Sequence, residues 1–160
     1  MMKTAKRVDL LPPQAAAENA HSSAYRRCLE IRRVVFVVGQ DVPSEIEFDG
    51  LDADARHFLA YPDTEATNLK DALGTARMRV VEGDAKAERI GVLESARGLG
   101  IGRDLVLAIE AHARKLGLPR VRLNAQLQAA PFYEKLGYVP YGEVFVEADI
   151  DHRAMKKRLD

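Results

Sequence analysis

A glycine-rich segment near the middle of the chain has the residue types and spacing of an anion-binding turn. Residues 97–102 contain three glycines at alternate positions, Gly98, Gly100 and Gly102, shortly after the apolar segment 89–93. The residues that follow, 103–116, have the spacing of an amphipathic helix. A strand, a glycine-rich turn and a helix start, in that order, direct several backbone N–H groups at the positive end of the helix. The segment therefore predicts a site for an anion, of which phosphate is the most common.

Two familiar phosphate-binding motifs do not fit this turn. A P-loop requires Gly-Lys-Ser/Thr, because the lysine must reach the outer phosphates and the hydroxyl must hold magnesium, whereas Arg103 and Asp104 follow Gly102. A dinucleotide fingerprint requires a third small residue three positions after the second glycine. That position holds Arg103 or Leu105, depending on the glycine pair chosen, and both are too large for close helix–strand packing. A nucleotide-binding module is therefore disfavoured.

A third interpretation of the turn is coenzyme A. The spacing Arg97-x-x-Gly100-x-Gly102 resembles the acyl-CoA loop of the GNAT N-acyltransferase superfamily, whose signature is Gln/Arg-x-x-Gly-x-Gly/Ala. In that family the preceding strand splays away from its neighbour, and its free backbone groups pair with the pantetheine arm. Residues 90–94 occupy the matching position. Taken alone, the turn fits equally well a plain glycine-rich connection between a strand and a helix.

A second motif makes the resemblance more specific. Residues 130–138, Ala-Pro-Phe-Tyr-Glu-Lys-Leu-Gly-Tyr, resemble the aromatic helix end that follows the fifth strand in the GNAT superfamily. Residues 32–57 and 145–155 resemble the ElaA-like branch, so the resemblance covers nearly the whole chain. One position departs from it, because Gly39 stands before Gln40 where the branch usually has Glu. If that Glu contacts the substrate or acts as a base, activity or acceptor choice differs here.

The resemblance implies a donor, acetyl-CoA, and a set of residues that bind it. These residues are Val92, Leu93, Arg97, Gly98, Gly100, Ile101, Gly102, Arg103 and Gln126. The backbone N–H near Val92 or Leu93 is the expected donor to the thioester carbonyl. Gln126 or Asn124 is expected to bond the pantetheine arm.

Acyl transfer to an amine also needs groups that move protons. A lysine-like amine has a pKa of about 10.4 and a thiol about 8.5, so the amine must lose a proton and the departing thiolate benefits from gaining one. Tyr133 falls where the family keeps its general acid, near the sulfur of coenzyme A. The alternative is that Tyr133 only packs beside Phe132.

The general base is not readable from the sequence. The candidates are carboxylates that could act directly or through water: Glu45, Glu47, Asp49 and Glu88. Each of them alone is more commonly a solvated surface carboxylate. Together, the acidic residues of the loop 39–54 suit a cationic amine or polyamine acceptor, a hypothesis that rests on charge only. Three histidines could also be catalytic, although a lone histidine is more often structural: His57, His112 and His152.

The elements that must position these residues form an α/β pattern. Strands are predicted at 5–11, 57–61, 75–82, 87–94, 121–125, 138–147 and 152–159, and helices at 15–33, 103–116 and 129–136. Residues 34–38 fit a strand and the buried end of the first helix equally well, and in the second helix Leu105, Ile109, His112 and Leu116 share one face. Two successive hairpin-linked strands favour an antiparallel or mixed sheet. The resemblance implies a GNAT-like, mostly antiparallel sheet of about six to seven strands flanked by helices.

Length and composition restrict the class of protein. The 160 residues fit one domain, 1–160. Because 24 basic and 24 acidic residues cancel, the net charge favours neither nucleic acid nor an anionic membrane as a partner. Cys28 is the single cysteine, and no Cys/His cluster has zinc spacing, so a metal-free, cytoplasmic protein is expected, with Cys28 in the core. No apolar run approaches the length of a membrane span. A homodimer is one assembly that the sequence allows.

These observations predict an N-acyltransferase. The predicted reaction is direct attack of a primary amine, on a small molecule or a protein, at the thioester of acetyl-CoA. The alternative is a non-catalytic acyl-CoA-binding sensor or partner domain, for which Gly39 is the main argument.

Overall fold

The computed structural model describes residues 7–13, 23–66 and 68–160. Its centre is one sheet of seven strands in the order β1-β2-β3-β4-β5-β7-β6. All neighbouring strands are antiparallel except β4 and β5, which are parallel. The strands are β1 (Arg7–Leu10), β2 (Arg56–Tyr61), β3 (Gly74–Val81), β4 (Asp84–Val92), β5 (Arg120–Gln126), β6 (Val139–Glu147) and β7 (Ile150–Arg158). The predicted mixed, mostly antiparallel sheet is confirmed.

Four helices accompany the sheet: α1 (Ser23–Arg32), α2 (Ser44–Glu47), α3 (Ile101–Lys115) and α4 (Ala130–Lys135). The predicted strand 5–11 and the predicted helix 15–33 both begin at residues outside the described ones. A π-helix, Arg33–Val38, continues α1 and settles the ambiguity of 34–38 in favour of helix. The predicted loop 39–54 contains the short helix α2, which its acidic composition did not indicate.

Helix α3 buries only part of the apolar face that the sequence predicted. Leu105 and Ile109 are fully buried, but Leu116 is half exposed. Glu110 is also buried, and it accepts hydrogen bonds from Tyr138 Oη (2.9 Å) and Lys157 Nζ (3.0 Å). A buried carboxylate is tolerated when charged and neutral donors satisfy it, and such long-range partners are invisible in local periodicity.

The sheet separates two apolar clusters. The larger one joins α3 and α4 to one face of the sheet through side chains such as Phe58, Met78, Leu105 and Met155. The smaller one places α1 and the π-helix on the sheet through Ile31, and it also includes the buried Cys28 predicted for the core. No helix among the described residues is long and apolar enough to span a membrane.

Candidate active site

Strands β4 and β5 diverge after a short stretch of pairing. Their parallel ladder joins only residues 85–87 to 121–123, although β4 continues to Val92 and β5 to Gln126. Beyond this point β4 is still paired with β3 and β5 with β7. One backbone edge of each strand therefore faces a gap in the middle of the sheet, which leaves main-chain hydrogen-bonding groups for a ligand.

A β-bulge accompanies the divergence. The register of β3 and β4 shifts between Thr75 and Arg77, and Arg89 within the shifted part of β4 has φ +56°. A non-glycine residue in the left-handed region is uncommon, and a bulge bends its strand and increases its twist. The bulge thus explains locally how β4 leaves β5.

The N–H groups at the end of β4 differ in what they contact. Leu93 donates its N–H to Leu73 O at 2.9 Å, so of the two expected donors to the thioester carbonyl, Val92 or Leu93, this one is already used inside the sheet. Successive N–H groups of a strand point to opposite edges. The N–H of Val92 therefore points toward the gap, and it is the donor that remains available of the two.

The glycine turn connects the gap to the start of α3. Gly98 and Gly100 have φ of +84° and +82°, a conformation that favours glycine, and Gly100 caps α3 without a side-chain hydrogen bond. The first intrahelical bond among the starting residues is from Asp104 N to Gly100 O, at 3.1 Å. The N–H groups of the first helical turn are therefore available to an anion. The side chain of Ile101 is buried, so only its main chain can serve a ligand, whereas Arg97 and Arg103 are exposed.

A cavity of about 660 Å³ occupies the gap and holds several of the predicted residues. Val92, Arg97, Gln126 and Tyr133 line it, together with Asn124. The other predicted donor-site residues, at 93, 98 and 100–103, are not among its lining residues. The cavity and the glycine turn therefore form two adjoining parts of one site.

Tyr133 lies in α4 with its ring buried against Phe132 and Tyr138, at centroid distances of 5.0 and 5.9 Å. Burial raises the pKa of its phenol to about 12, so the hydroxyl stays protonated at neutral pH. None of the described residues accepts a hydrogen bond from it. Tyr133 therefore packs beside Phe132, and it also lines the cavity. Its O–H is available as a donor to a ligand.

A pair of amides spans the cavity. Gln40 follows the π-helix and Gln126 ends β5, and each side chain donates to the other, at 3.3 Å from Gln40 Nε2 and at 2.8 Å from Gln126 Nε2. Such π-helices are rare and frequently occur at functional sites. Gln126 is thus already bonded within the protein, and a pantetheine arm would have to share or replace that contact. This pairing of residues 86 positions apart leaves no local trace in the sequence.

One wall of the cavity is part of an extensive cluster of buried and partly buried charges. Arg77 Nη1 contacts Asp49 Oδ1 (2.8 Å) and Asp52 Oδ1 (2.9 Å), and its Nη2 contacts Glu88 Oε1 (3.0 Å). Arg32 Nε contacts Glu47 Oε2 at 2.9 Å. The set, here called the ion cluster, comprises Arg32, Arg77, Arg79, Arg89, Glu47, Asp49, Asp52 and Glu88. Its four guanidinium groups balance its four carboxylates.

The ion cluster corrects the interpretation of the acidic loop. Glu47, Asp49 and Glu88 are not solvated surface carboxylates, because arginines contact all three. Burial alone would raise the pKa of Asp49 and Glu88, but the hydrogen bonds and charges of Arg77, Arg79 and Arg89 outweigh it and lower both pKa values. The pKa of Glu47 is instead raised by burial. The loop therefore presents far less free negative charge to an acceptor than its composition suggests.

The predicted histidines occupy three different environments. His57 is buried beside the ion cluster, with Nε2 3.0 Å from Asp52 O, and burial lowers its pKa. His112 lies on α3 against Phe58, away from the cavity lining. His152 lies on β7 and lines the cavity, and its Nδ1 is 2.6 Å from Ile150 O. Of the three histidines that the sequence offered as catalytic candidates, it is the one that lines the cavity.

Comparison with known proteins is consistent across sequence and structure. Residues 51–159 match the model of the acetyltransferase (GNAT) domain. The uncharacterized N-acetyltransferase YjcF of Bacillus subtilis is 39% identical over 128 residues, 79% of this chain and 87% of that protein. ElaA of Escherichia coli is 30% identical over 138 residues, covering 82% and 85%, and its crystal structure superposes with a TM-score of 0.74. An acyl-CoA N-acyltransferase from Pseudomonas aeruginosa, 30% identical, has a TM-score of 0.78 over 96% of this chain and 99% of its own.

Proposed function

The chain belongs to the GNAT acetyltransferase family, and from that premise we propose that it transfers an acetyl group from acetyl-CoA to a primary amine. The observation that carries the proposal is the gap between β4 and β5, which opens beside an uncapped helix start. Acetyl-CoA is a thioester with a long amide-containing arm and a pyrophosphate, so its binding needs both the gap and the helix start. The backbone edge pairs with the arm, and the N–H groups at the start of α3 receive the phosphate.

The residues present fit coenzyme A. Gly100 gives the turn its left-handed conformation, and a Cβ added at Gly102 would lie 3.4 Å from Phe132 Cζ, so only a small residue fits there without displacing the ring. The side chains of Arg97 and Arg103 are exposed beside the turn and supply positive charge. Charge-assisted bonds of this kind contribute roughly 1.5–3 kcal/mol each before desolvation.

The roles in the reaction follow from the same geometry. The amine attacks the thioester carbonyl, whose oxygen takes up negative charge and accepts a hydrogen bond from the N–H of Val92. As the carbon–sulfur bond breaks, the sulfur takes up charge and accepts a hydrogen bond from the Tyr133 hydroxyl. Because its pKa is about 12, Tyr133 is a hydrogen-bond donor first and passes its proton only as the thiolate forms.

Release of thiol tests the proposal. Purified protein is incubated with acetyl-CoA and a panel of primary amines, and free thiol is followed with time. We expect amine-dependent release and an acetylated amine by mass spectrometry. Binding of coenzyme A, seen as a thermal shift, without transfer to any amine would contradict the proposal and favour the alternative, a non-catalytic acyl-CoA sensor.

Position 39 gives that alternative a direct test. Gly39 is exposed at the end of the π-helix, and a Cβ added there would lie 3.1 Å from Val34 O, so the backbone would have to shift by a few tenths of an ångström. Gly39→Glu restores the residue usual in the ElaA-like branch. If the native chain is a sensor because it lacks that carboxylate, Gly39→Glu gains transferase activity. If the native chain is an enzyme, the wild type is active without a carboxylate at position 39.

A further inference from the structure

We propose that His152 is the group that removes the proton from the acceptor amine, an inference that rests on the proposed function. The proposal addresses the proton-removal step, for which the sequence left several carboxylates and three histidines, His152 among them, as candidates. It depends on three observations: the position of His152 in the cavity, the hydrogen bond at its Nδ1, and the surroundings of its Nε2.

The position of His152 puts it beside the donor side of the cavity. In the register of β5 and β7, His152 is the partner of Gln126, which carries the amide pair with Gln40. The turn between β6 and β7 folds over the π-helix, because Ala148 and Ile150 pack against the cluster that contains Phe36. His152 therefore lies where the hairpin and the π-helix close around the cavity.

The hydrogen bond at Nδ1 fixes which nitrogen can accept a proton. A carbonyl oxygen only accepts, so the 2.6 Å contact between Nδ1 and Ile150 O places the hydrogen of the neutral imidazole on Nδ1. Nε2 then carries the lone pair. Stacking on Phe145, at 5.8 Å between centroids and 23° between planes, holds the ring in this orientation.

The surroundings of Nε2 leave it available to a ligand. None of the described residues makes a hydrogen bond to Nε2. The nearest carboxylate oxygen across the hairpin, Glu147 Oε2 on β6, lies 4.0 Å away. The cross-strand neighbours of His152 on β5 and β6, Gln126 and Phe145, carry no charge.

The carboxylates of the ion cluster are poorer proton acceptors. Both oxygens of Glu88 and of Asp49 receive arginine N–H groups, and their lowered pKa values make them weak bases. Glu47 also faces the cavity, and its Oε2 contacts both Arg32 and Arg89. Burial raises the pKa of Glu47, but protonating it would remove a charged partner of both Arg32 and Arg89 and leave Arg32 with Asp52 alone among its carboxylate partners in the ion cluster, which is costly.

The proton balance of the step is simple. The ammonium of the acceptor gives one proton to His152 Nε2, and the neutral amine then forms a carbon–nitrogen bond at the thioester carbon. As the carbon–sulfur bond breaks, the nitrogen loses its second proton and the thiolate takes one up. His152 returns its proton to water, so the products are an amide, a free thiol and one released proton.

The test uses two acceptors of nearly the same shape. Ethylamine is an ammonium ion at neutral pH, whereas methoxyamine is already neutral, and both are small enough to enter the cavity. His152→Asn is the informative variant, because the asparagine nitrogen can keep the hydrogen bond to Ile150 O while nothing replaces Nε2. His112→Asn is the matched control outside the cavity.

We expect kcat/KM of His152→Asn to fall roughly 10²–10⁴-fold with ethylamine and much less with methoxyamine. Its thermal shift with coenzyme A should equal that of the wild type, and His112→Asn should retain activity with both amines. Equal, small losses with both acceptors would overturn the inference, as would long-range ¹⁵N–¹H NMR spectra that place the hydrogen on Nε2 of His152. If the wild type acetylates neither amine nor any member of the panel, the proposed function itself fails, which is a different result.

Discussion

The two walls of the cavity are built in different ways. The first, here called the main-chain wall, comprises the free edge of β4 and the glycine turn that begins α3, residues 90–102. The second, the side-chain wall, comprises the ion cluster and the β6–β7 hairpin with His152. The main-chain wall offers N–H groups that almost any sequence with the right glycines would provide. The side-chain wall depends on specific residues from five or more separate parts of the chain.

This difference predicts how each wall responds to substitution. A change in the side-chain wall leaves charges buried without partners, so it should reduce stability first. A change in the main-chain wall or at the reacting atoms should leave the protein folded and alter binding or rate. Four substitutions test that distinction, beginning with the largest expected effect.

Arg77→Met should cost the most stability. Arg77 is fully buried and contacts Asp49, Asp52 and Glu88, so its removal leaves three carboxylates without that partner, at a cost of about 3–5 kcal/mol in the free energy of unfolding. Arg79→Met is the control, because Arg79 is partly exposed and contacts Glu88 alone, and it should cost about 1 kcal/mol or less.

Urea denaturation measures both variants. If Arg77→Met does not fold, Arg77→Lys, which keeps the charge but not the forked contacts, should lie between it and the wild type. Equal losses for Arg77→Met and Arg79→Met would mean that the ion cluster is not the support of this wall.

Tyr133→Phe should act on the rate alone. The variant keeps the ring packed against Phe132 and Tyr138 and removes only the hydroxyl that faces the cavity. We expect turnover to fall at least about 10²-fold with the KM for acetyl-CoA nearly unchanged. Steady-state kinetics at varied acetyl-CoA decides this, and unchanged turnover would remove Tyr133 from the mechanism.

Gly100→Ala tests the main-chain wall directly. Gly100 and Gly117 both have positive φ, +82° and +73°, at opposite ends of α3. A side chain at either position costs about 1–2 kcal/mol of stability. Only Gly100→Ala should also weaken the binding of coenzyme A, by roughly tenfold, because it disturbs the start of the helix. Isothermal titration of coenzyme A with both variants makes the comparison, and equal affinities would argue against a phosphate at this turn.

The fold and the main-chain wall were largely predictable from the sequence. Glycines at fixed spacing and a strand followed by a helix are local features, and they located the turn and α3 to within a few residues. The side-chain wall was not predictable, because the residues that contact one another in it are distant along the chain. Glu88 meets Arg77 across a hairpin and Gln40 meets Gln126 from another element, so the acidic loop was interpreted as free charge.

The same limitation applies to single residues. The sequence left the thioester contact open between Val92 and Leu93, and the alternation of N–H groups along β4 favours Val92. The sequence named His152 as one of three histidines that could be catalytic, and the cavity and the contact with Ile150 O distinguish it from the other two. Local spacing identifies where a main-chain site lies, whereas side-chain sites require the fold.

The smallest expected effect concerns His57, which is buried beside the ion cluster. Burial lowers its pKa, so the unfolded chain binds a proton at a higher pH than the folded protein does. The stability that this neutral histidine contributes is present above the ordinary histidine pKa of about 6.5 and is lost as the pH falls below it. His57→Gln should therefore flatten the decrease in unfolding free energy between about pH 6.5 and pH 5, as measured by urea titrations across that range. If the unfolding free energy of His57→Gln decreases with falling pH as steeply as that of the wild type, other titratable groups cause the decrease.

A crystal structure with bound coenzyme A tests the central claim most directly. We expect the pantetheine arm along the free edge of β4 near residues 90–92, the pyrophosphate at the N–H groups that begin α3, and the thiol near Tyr133. Coenzyme A bound elsewhere, with β5 closed onto β4 beyond Ala87, would contradict the account.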